Sequence, residues 1–318
     1  MIGRMSKGSR RHSGRLRAAA EEIRGQPKAL EDFGKSGFPS ASKGSVFVGA
    51  GDSYAAALVA FYASRAGCIA LDPYVLVAYP ETAAGREVFF ISVSGRTAAN
   101  VEAAARVRRL AKSTTAITSE GTNWLSELTD HAVKLPVKPA PRSPGLMSFS
   151  LSALAVLNIS ANAGGCDFEG AMHRAEKDSL EMAFSEGMTY FLGNATAHAI
   201  AVYSAAKVYE FLGTKAQGEL LEEFSHLELF SLGESDSVNI FSCFDPEGAG
   251  VKLGEALSRR GYQARQVPSR GRSDCEKLFH AIFTSQLAVL RRAEELGLSG
   301  PTFLANKGRL AISDSRIY

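Results

Sequence analysis

Four cysteines in 318 residues, at 68, 166, 243 and 275, form no Cys-x-x-Cys pair and no cluster with histidine at zinc spacing. That excludes a disulfide scaffold and reads instead as reduced, buried thiols of a cytoplasmic protein. The six histidines are scattered, so neither a metal nor a metal-dependent cofactor is expected. Proline is sparse at 11 against 30 glycines, which suits regular elements joined by tight turns. No apolar run reaches the roughly 18 residues of a membrane helix. The most apolar stretch, LSALAVLNISANAGG (151–165), is broken by Ser152, Asn158 and Ser160, so no membrane contact is expected.

Acid is missing from residues 1–20, which hold Arg4, Lys7, Arg10, Arg11, Arg15 and Arg17. The overall charge of +3 therefore misleads: the rest of the chain has 30 basic and 33 acidic residues. A nucleic-acid binder needs a basic face on its folded body, and this body is acidic. The head reads as a solvated, disordered tail without the apolar segment of a secretory signal.

What is present is alternation. A helix is expected at 15–33, with Leu16, Ile23 and Leu30 spaced by sevens. Strands at 45–49, 68–72, 87–93, 113–119 and 131–136 alternate with helices at 52–67 and 97–111 and a short one at 123–130, where Trp124 is expected to pack in the core. PVKPAPRSPG (136–145) reads as a linker, followed by helices at 146–163 and 168–187. Alternation then resumes, with strands at 188–193, 237–244 and 262–268 and helices at 195–213, 247–260 and 273–297. Near-continuous apolar strands separated by helices imply parallel sheets covered on both faces. The expected fold is α/β, two doubly wound parallel-sheet domains in tandem: a tail and helix at 1–35, a first domain at 36–165 and a second at 166–318.

Two strand-to-helix junctions are rich in hydroxyls. Ser92-Val93-Ser94-Gly95-Arg96-Thr97 ends a buried strand just before a helix, where free N–H groups and the helix dipole favour an anion. Ser92, Ser94 and Thr97 supply hydroxyls and Gly95 lets the backbone approach. Simple N-capping by Thr97 is the competing reading. FVGAGDSYAAA (47–57) repeats the pattern and places Ser53 to donate to the same ligand. A dinucleotide fingerprint is the rival there, with Gly49-x-Gly51 and Asp72, but Tyr54 fills the third glycine position. Gly34-Lys35-Ser36 is a false phosphate-loop match, since Ala29 stands where the first glycine belongs.

These junctions, together with AAKVYEFLGTKAQGELLEEFSH (205–226), resemble the sugar isomerase (SIS) family over most of 20–318. The likeness is to the isomerase half of the glucosamine-6-phosphate synthases and to archaeal sugar-phosphate isomerases. It implies flavodoxin-like domains and a sugar phosphate gripped by Ser53, Ser92, Ser94 and Thr97. It also implies a reacting group of Lys207, Glu210 and His226, with Glu223 completing a Glu-x-x-His pair. In the synthases the histidine comes from a neighbouring subunit, which implies a homodimer with a shared active site. No glutaminase half and no cysteine after Met1 are present, so ammonia from glutamine is not expected. The Schiff-base lysine of the synthases has Ser313 near its place, with Lys307 off register, and Leu146-Met147 replaces the usual Thr-Lys.

The chemistry needs few parts. A carboxylate base moves a proton between C1 and C2, a donor or cation steadies the enediolate oxygen, and an acid/base opens the ring. Glu210, Lys207 and His226 fit these roles. Burial would raise the pKa of Glu210 and Lys207 would lower it. Against this stand a plain surface Glu–Lys pair and a histidine satisfied by Glu222 or Glu223. His131, His173, His198 and His280 are read as structural, and Arg106, Arg108 and Arg109 as the solvated face of their helix. The expected function is a cofactor-free sugar-phosphate aldose–ketose isomerase. An amino-sugar phosphate deaminase or deglycase is the alternative, and a non-catalytic sugar-phosphate binding module the third. Loops 138–148 and 213–221 are expected to set the choice of sugar.

Overall fold

The computed structural model describes residues 7–138, 143–162, 164–243, 245 and 247–318, with side chains from residue 14 onward. Part of the linker read at 136–145 lies outside the described residues. The chain divides into two compact units. One holds Lys28–Cys166 and Ala311–Tyr318; the other holds Asp167–Leu310 and the described residues up to Pro27.

In chain order the helices α1 (Lys7–Arg24) and α2 (Gln26–Gly34) come first. The first unit then runs β1 (Val46–Val48), α3 (Asp52–Ala63), β2 (Ile69–Leu71), α4 (Pro73–Ala78), β3 (Glu87–Ile91), α5 (Ala98–Val107), β4 (Ser113–Ser119), α6 (Trp124–Leu128), β5 (His131–Leu135) and α7 (Met147–Ala161). The second continues with α8 (Phe168–Asp178), β6 (Thr189–Leu192), α9 (Thr196–Phe211), β7 (Ala216–Glu219), α10 (Leu221–His226), β8 (Ser237–Phe241), α11 (Ala249–Arg259), β9 (Gln263–Val267) and α12 (Asp274–Glu295), and α13 (Lys307–Ile317) ends the chain, divided between the two units at Leu310 and Ala311.

Both sheets are wholly parallel. The first has the order β2-β1-β3-β4-β5 and the second β7-β6-β8-β9. The two-α/β-domain fold expected from alternation is therefore what forms, and the first order is the flavodoxin-like one. β1 and β3 are buried on both faces, as parallel strands under helices must be. Val46, Val48, Val88 and Phe90 pack on one side with Leu76, Ala103, Ala104 and Val107. On the other, Phe47 stacks on Phe89 with ring centroids 4.7 Å apart. Each such buried aliphatic or phenyl group contributes about 1.5–3 kcal/mol. The second core is built from Tyr190, Leu192, Phe224, Val238 and Ile240.

The structure departs from the sequence reading in several places. The first helix begins at Lys7 rather than 15, since Lys, Arg and Ala are good helix formers. Leu16, Ala19, Ala20 and Ile23 are buried on that helix, which packs against α12. A break at Gly25 splits the expected 15–33 helix in two. The stretch 213–221, expected as a loop, contains the edge strand β7, Ala-Gln-Gly-Glu. It has no β-branched or aromatic residue to announce it. Gly218 is there because a Cβ would stand 2.4 Å from the carbonyl oxygen of Ala201. Trp124, expected in the core, is 57% exposed at the first position of α6. Leu125 takes the buried place instead.

Candidate active site

Between β1 and β3 the strand order of the first sheet reverses: β1 connects to β2 on one side, and the chain then returns to β3 on the other. Ligands of open α/β sheets bind at such a switch point, beyond the carboxyl ends of the strands. The register pairs Val48 with Phe90. The loop from Gly49 to Ser53 and the loop from Ser92 to Thr97 thus leave adjacent strands side by side.

The second loop is held from beneath. Ser92 N–H donates to the Ile117 carbonyl, Ser119 N–H to that of Val93, and Gly95 N–H to that of Ser92. Gly95 has φ +61, and a Cβ on it would lie 1.9 Å from Asn123 Oδ1. Only glycine fits. Asn123 caps α6 through the Ser126 amide and donates to Thr118 Oγ1 at 3.1 Å, and Thr118 in turn donates to the Val93 carbonyl. Sequence reading missed this support. The capping pattern of Asn123 and Ser126 was visible, but its approach to Gly95 is tertiary.

Above this floor, Ser92 is buried with Oγ 3.1 Å from Thr97 Oγ1, and Ser94 Oγ accepts the Arg96 amide at 3.2 Å. Thr97 occupies the N-cap of α5 but makes no side-chain cap hydrogen bond. The capping alternative thus does not describe its hydroxyl. Ser53, half-buried in the first turn of α3, faces a helix start that is likewise uncapped by a side chain.

The second unit supplies an internal comparison. The loop after β8, its counterpart of the Ser92 loop, also leads into a helix. There Asp245 lays its carboxylate on the helix start, accepting from Ala249 N at 3.0 Å and Gly250 N at 2.8 Å. One helix N-terminus carries its own anion; the other offers hydroxyls.

Lys207 and Glu210 lie one turn apart on α9. Lys207 is wholly buried, and its Nζ is 2.5 Å from Glu210 Oε2 and 5.0 Å above the Tyr203 ring. The Glu210 side chain keeps 27% of its exposure. A buried ammonium persists only when paired. This is no solvated surface pair.

His226 is not brought to them. Its ring is 71% exposed at the end of α10, and Nε2 lies 3.0 Å from Glu222 Oε1, not Glu223. Lys307 and Ser313 are both exposed on α13.

His280, wholly buried, accepts the Arg270 amide at Nδ1 and has Nε2 3.1 Å from Asp178 Oδ2. Burial, outweighing the pull of Asp178, pushes it down to about 4. Burial pushes the Cys243 thiol up to about 11, so it is no nucleophile at neutral pH. His198 is also lowered by burial. Arg106, Arg108 and Arg109 are exposed as expected. Among the described residues no cluster of His, Cys, Asp or Glu could hold a metal, and no helix is long and apolar enough to cross a membrane.

Residues 81–163 match the SIS domain family. The chain contains a SIS domain. The likeness to the SIS family read from the sequence therefore holds, and the matched stretch includes the Ser92–Thr97 loop. No curated protein matches the chain in sequence. Among solved structures, glucosamine-6-phosphate deaminase from Thermotoga maritima superposes with TM-score 0.72 at 19% identity, covering 89% of this chain and 96% of that one. The C-terminal domain of glucosamine-fructose-6-phosphate aminotransferase from Francisella tularensis gives 0.65 at 17%, covering 86% and 94%. Tagatose-6-phosphate ketose/aldose isomerase from Escherichia coli gives 0.64 at 19%, covering 88% and 94%. At these identities the shared property is the fold.

Proposed function

We propose that the chain is a sugar-phosphate aldose–ketose isomerase that shuttles a proton between C1 and C2 without metal or cofactor. The observation that carries this reading is the Lys207–Glu210 pair: a wholly buried ammonium against a carboxylate that remains partly open. Ser53, Ser92, Ser94 and Thr97, with the amides around Gly95, grip the phosphate. Glu210 takes the proton from C2 of the aldose, or C1 of the ketose, and returns it to the neighbouring carbon. Lys207 holds that carboxylate in place and offsets the charge that develops on the enediolate oxygen. His226 opens the sugar ring. Its distance from the pair in contacts and its exposure support a role toward a second copy, in a cytoplasmic homodimer. The solved structures of like fold include both a ketose/aldose isomerase and a glucosamine-6-phosphate deaminase.

The test is a proton-NMR time course in D2O with fructose 6-phosphate and glucosamine 6-phosphate, using wild type and Glu210→Gln. Deuterium entering C1 or C2 is expected in the wild type. A general base contributes about 10²–10⁴-fold, so the variant should lose at least that much. Ammonia release from the amino sugar would shift the assignment to a deaminase. Phosphate-dependent thermal stabilisation without exchange by either protein would leave a binding module.

A further inference from the structure

A string of polar groups crosses the core of the second unit. Gln26 Nε2, at the start of α2, donates to Gln286 Oε1 of α12 at 2.7 Å, and Gln286 Nε2 donates to the Tyr203 hydroxyl of α9 at 2.9 Å. The Tyr203 ring then lies under Lys207 Nζ. Gln26, Tyr203 and Lys207 are completely buried and Gln286 is 1% exposed. Three helices whose residues are up to 260 positions apart thus converge on the lysine that holds Glu210. A string of amides is a poor way to fill a core, since apolar groups of the same shape serve stability equally well. What it does provide is direction. The two glutamines fix the phenol edge, and the phenol edge fixes the ring face that a cation seeks.

We propose that Tyr203 is a positioning residue for the Lys207–Glu210 pair, its ring serving as the seat of the ammonium and Gln286 and Gln26 holding that ring in orientation. This rests on the proton-shuttle reading above. The ring's negative face stabilises a charge that burial penalises, keeping Nζ against Glu210. Substrate grip belongs to other residues, so losing the ring should slow turnover and leave affinity alone.

The experiment compares wild type, Tyr203→Met and Tyr203→Phe. In sugar-free protein, NMR should show the Lys207 ε-methylene shifted upfield by the ring in wild type and Tyr203→Phe but not in Tyr203→Met. The Glu210 carboxyl carbon signal should move in Tyr203→Met alone. In the D2O exchange assay, Tyr203→Met should lower kcat about 10-fold with KM within about twofold, and Tyr203→Phe should restore most of it. Should Tyr203→Met not fold, Gln286→Leu carries the test, with about a threefold loss in kcat expected from a ring without its tie. Unchanged kcat per folded molecule, equal loss in Tyr203→Phe, or an unmoved Glu210 carboxyl signal would each overturn the proposal. If the wild type exchanges no proton of any sugar phosphate, the isomerase reading fails by itself, and the two NMR signals still decide the role of Tyr203.

Discussion

At Thr97 the proposed phosphate binding can be tested separately from folding. Its hydroxyl makes no cap hydrogen bond, and its partner is the neighbouring Ser92 hydroxyl at 3.1 Å. Removing it takes no cap hydrogen bond from α5. A hydrogen bond to a charged group is worth about 1.5–3 kcal/mol. Thr97→Val should therefore weaken binding of a sugar phosphate about 10-fold or more, with little change in melting temperature without ligand. Titration calorimetry alongside a thermal melt reads both. An unchanged affinity would remove the Ser92–Thr97 loop from the phosphate site. Glu210→Gln makes the complementary separation: it removes the proposed base but keeps a hydrogen-bonding group beside Lys207. Glu210→Ala should instead cost about 3 kcal/mol of stability, because it takes the paired carboxylate away from a buried ammonium.

At the scale of elements, the two units repeat one backbone feature with different residues. Gly51, before α3, has φ 59 and ψ −129. Ala195, before α9, has φ 50 and ψ −133. That region suits glycine, and a side chain held there stores about 1–3 kcal/mol of strain. Ala195→Gly recovers it, less the extra chain entropy of glycine, roughly 0.5–1 kcal/mol. A net gain of about 1 kcal/mol should raise the melting temperature by about 2–4 °C. A fall instead would mean that the loop is not strained. Such features also mark what the sequence could say. Long apolar strands such as Glu87–Ile91 and the glycine-hydroxyl junctions were legible, because burial on both faces and turn chemistry are written locally. The strand Ala216–Glu219 was not, because its place depends on Gly218 fitting against α9. The spacing of Lys207 and Glu210 was readable as one helical turn. The complete burial of Lys207 was not, since it comes from tertiary packing such as that of α9 against α12. Asn123 under Gly95 and Tyr203 under Lys207 are contacts between elements, invisible to any local pattern.

For the whole molecule, acid should act on the two units in different pH ranges. His280 in the second unit has its pKa depressed from 6.5 to about 4 by burial. Below pH 6.5 the unfolded chain binds a proton that the folded one refuses, so stability falls as pH drops, until about pH 4. The full loss is about 3 kcal/mol. Glu87 in the first unit is lowered from 4.5 to about 2, chiefly by the Ser42 amide, with Lys112 and the Ser42 and Ser45 hydroxyls adding to it. Its contribution is complete above pH 4.5 and is lost as pH falls toward 2. Solvent screening limits it to about 1–2 kcal/mol. Trp124 is the chain's one tryptophan and lies in the first unit. Between pH 6.5 and 4.5, urea midpoints followed by hydrogen exchange in α12 should therefore fall, while those followed by tryptophan fluorescence hold. His280→Gln should flatten the first slope, and Glu87→Gln the second. Coincident midpoints by both probes at every pH would show instead that the two units unfold as one.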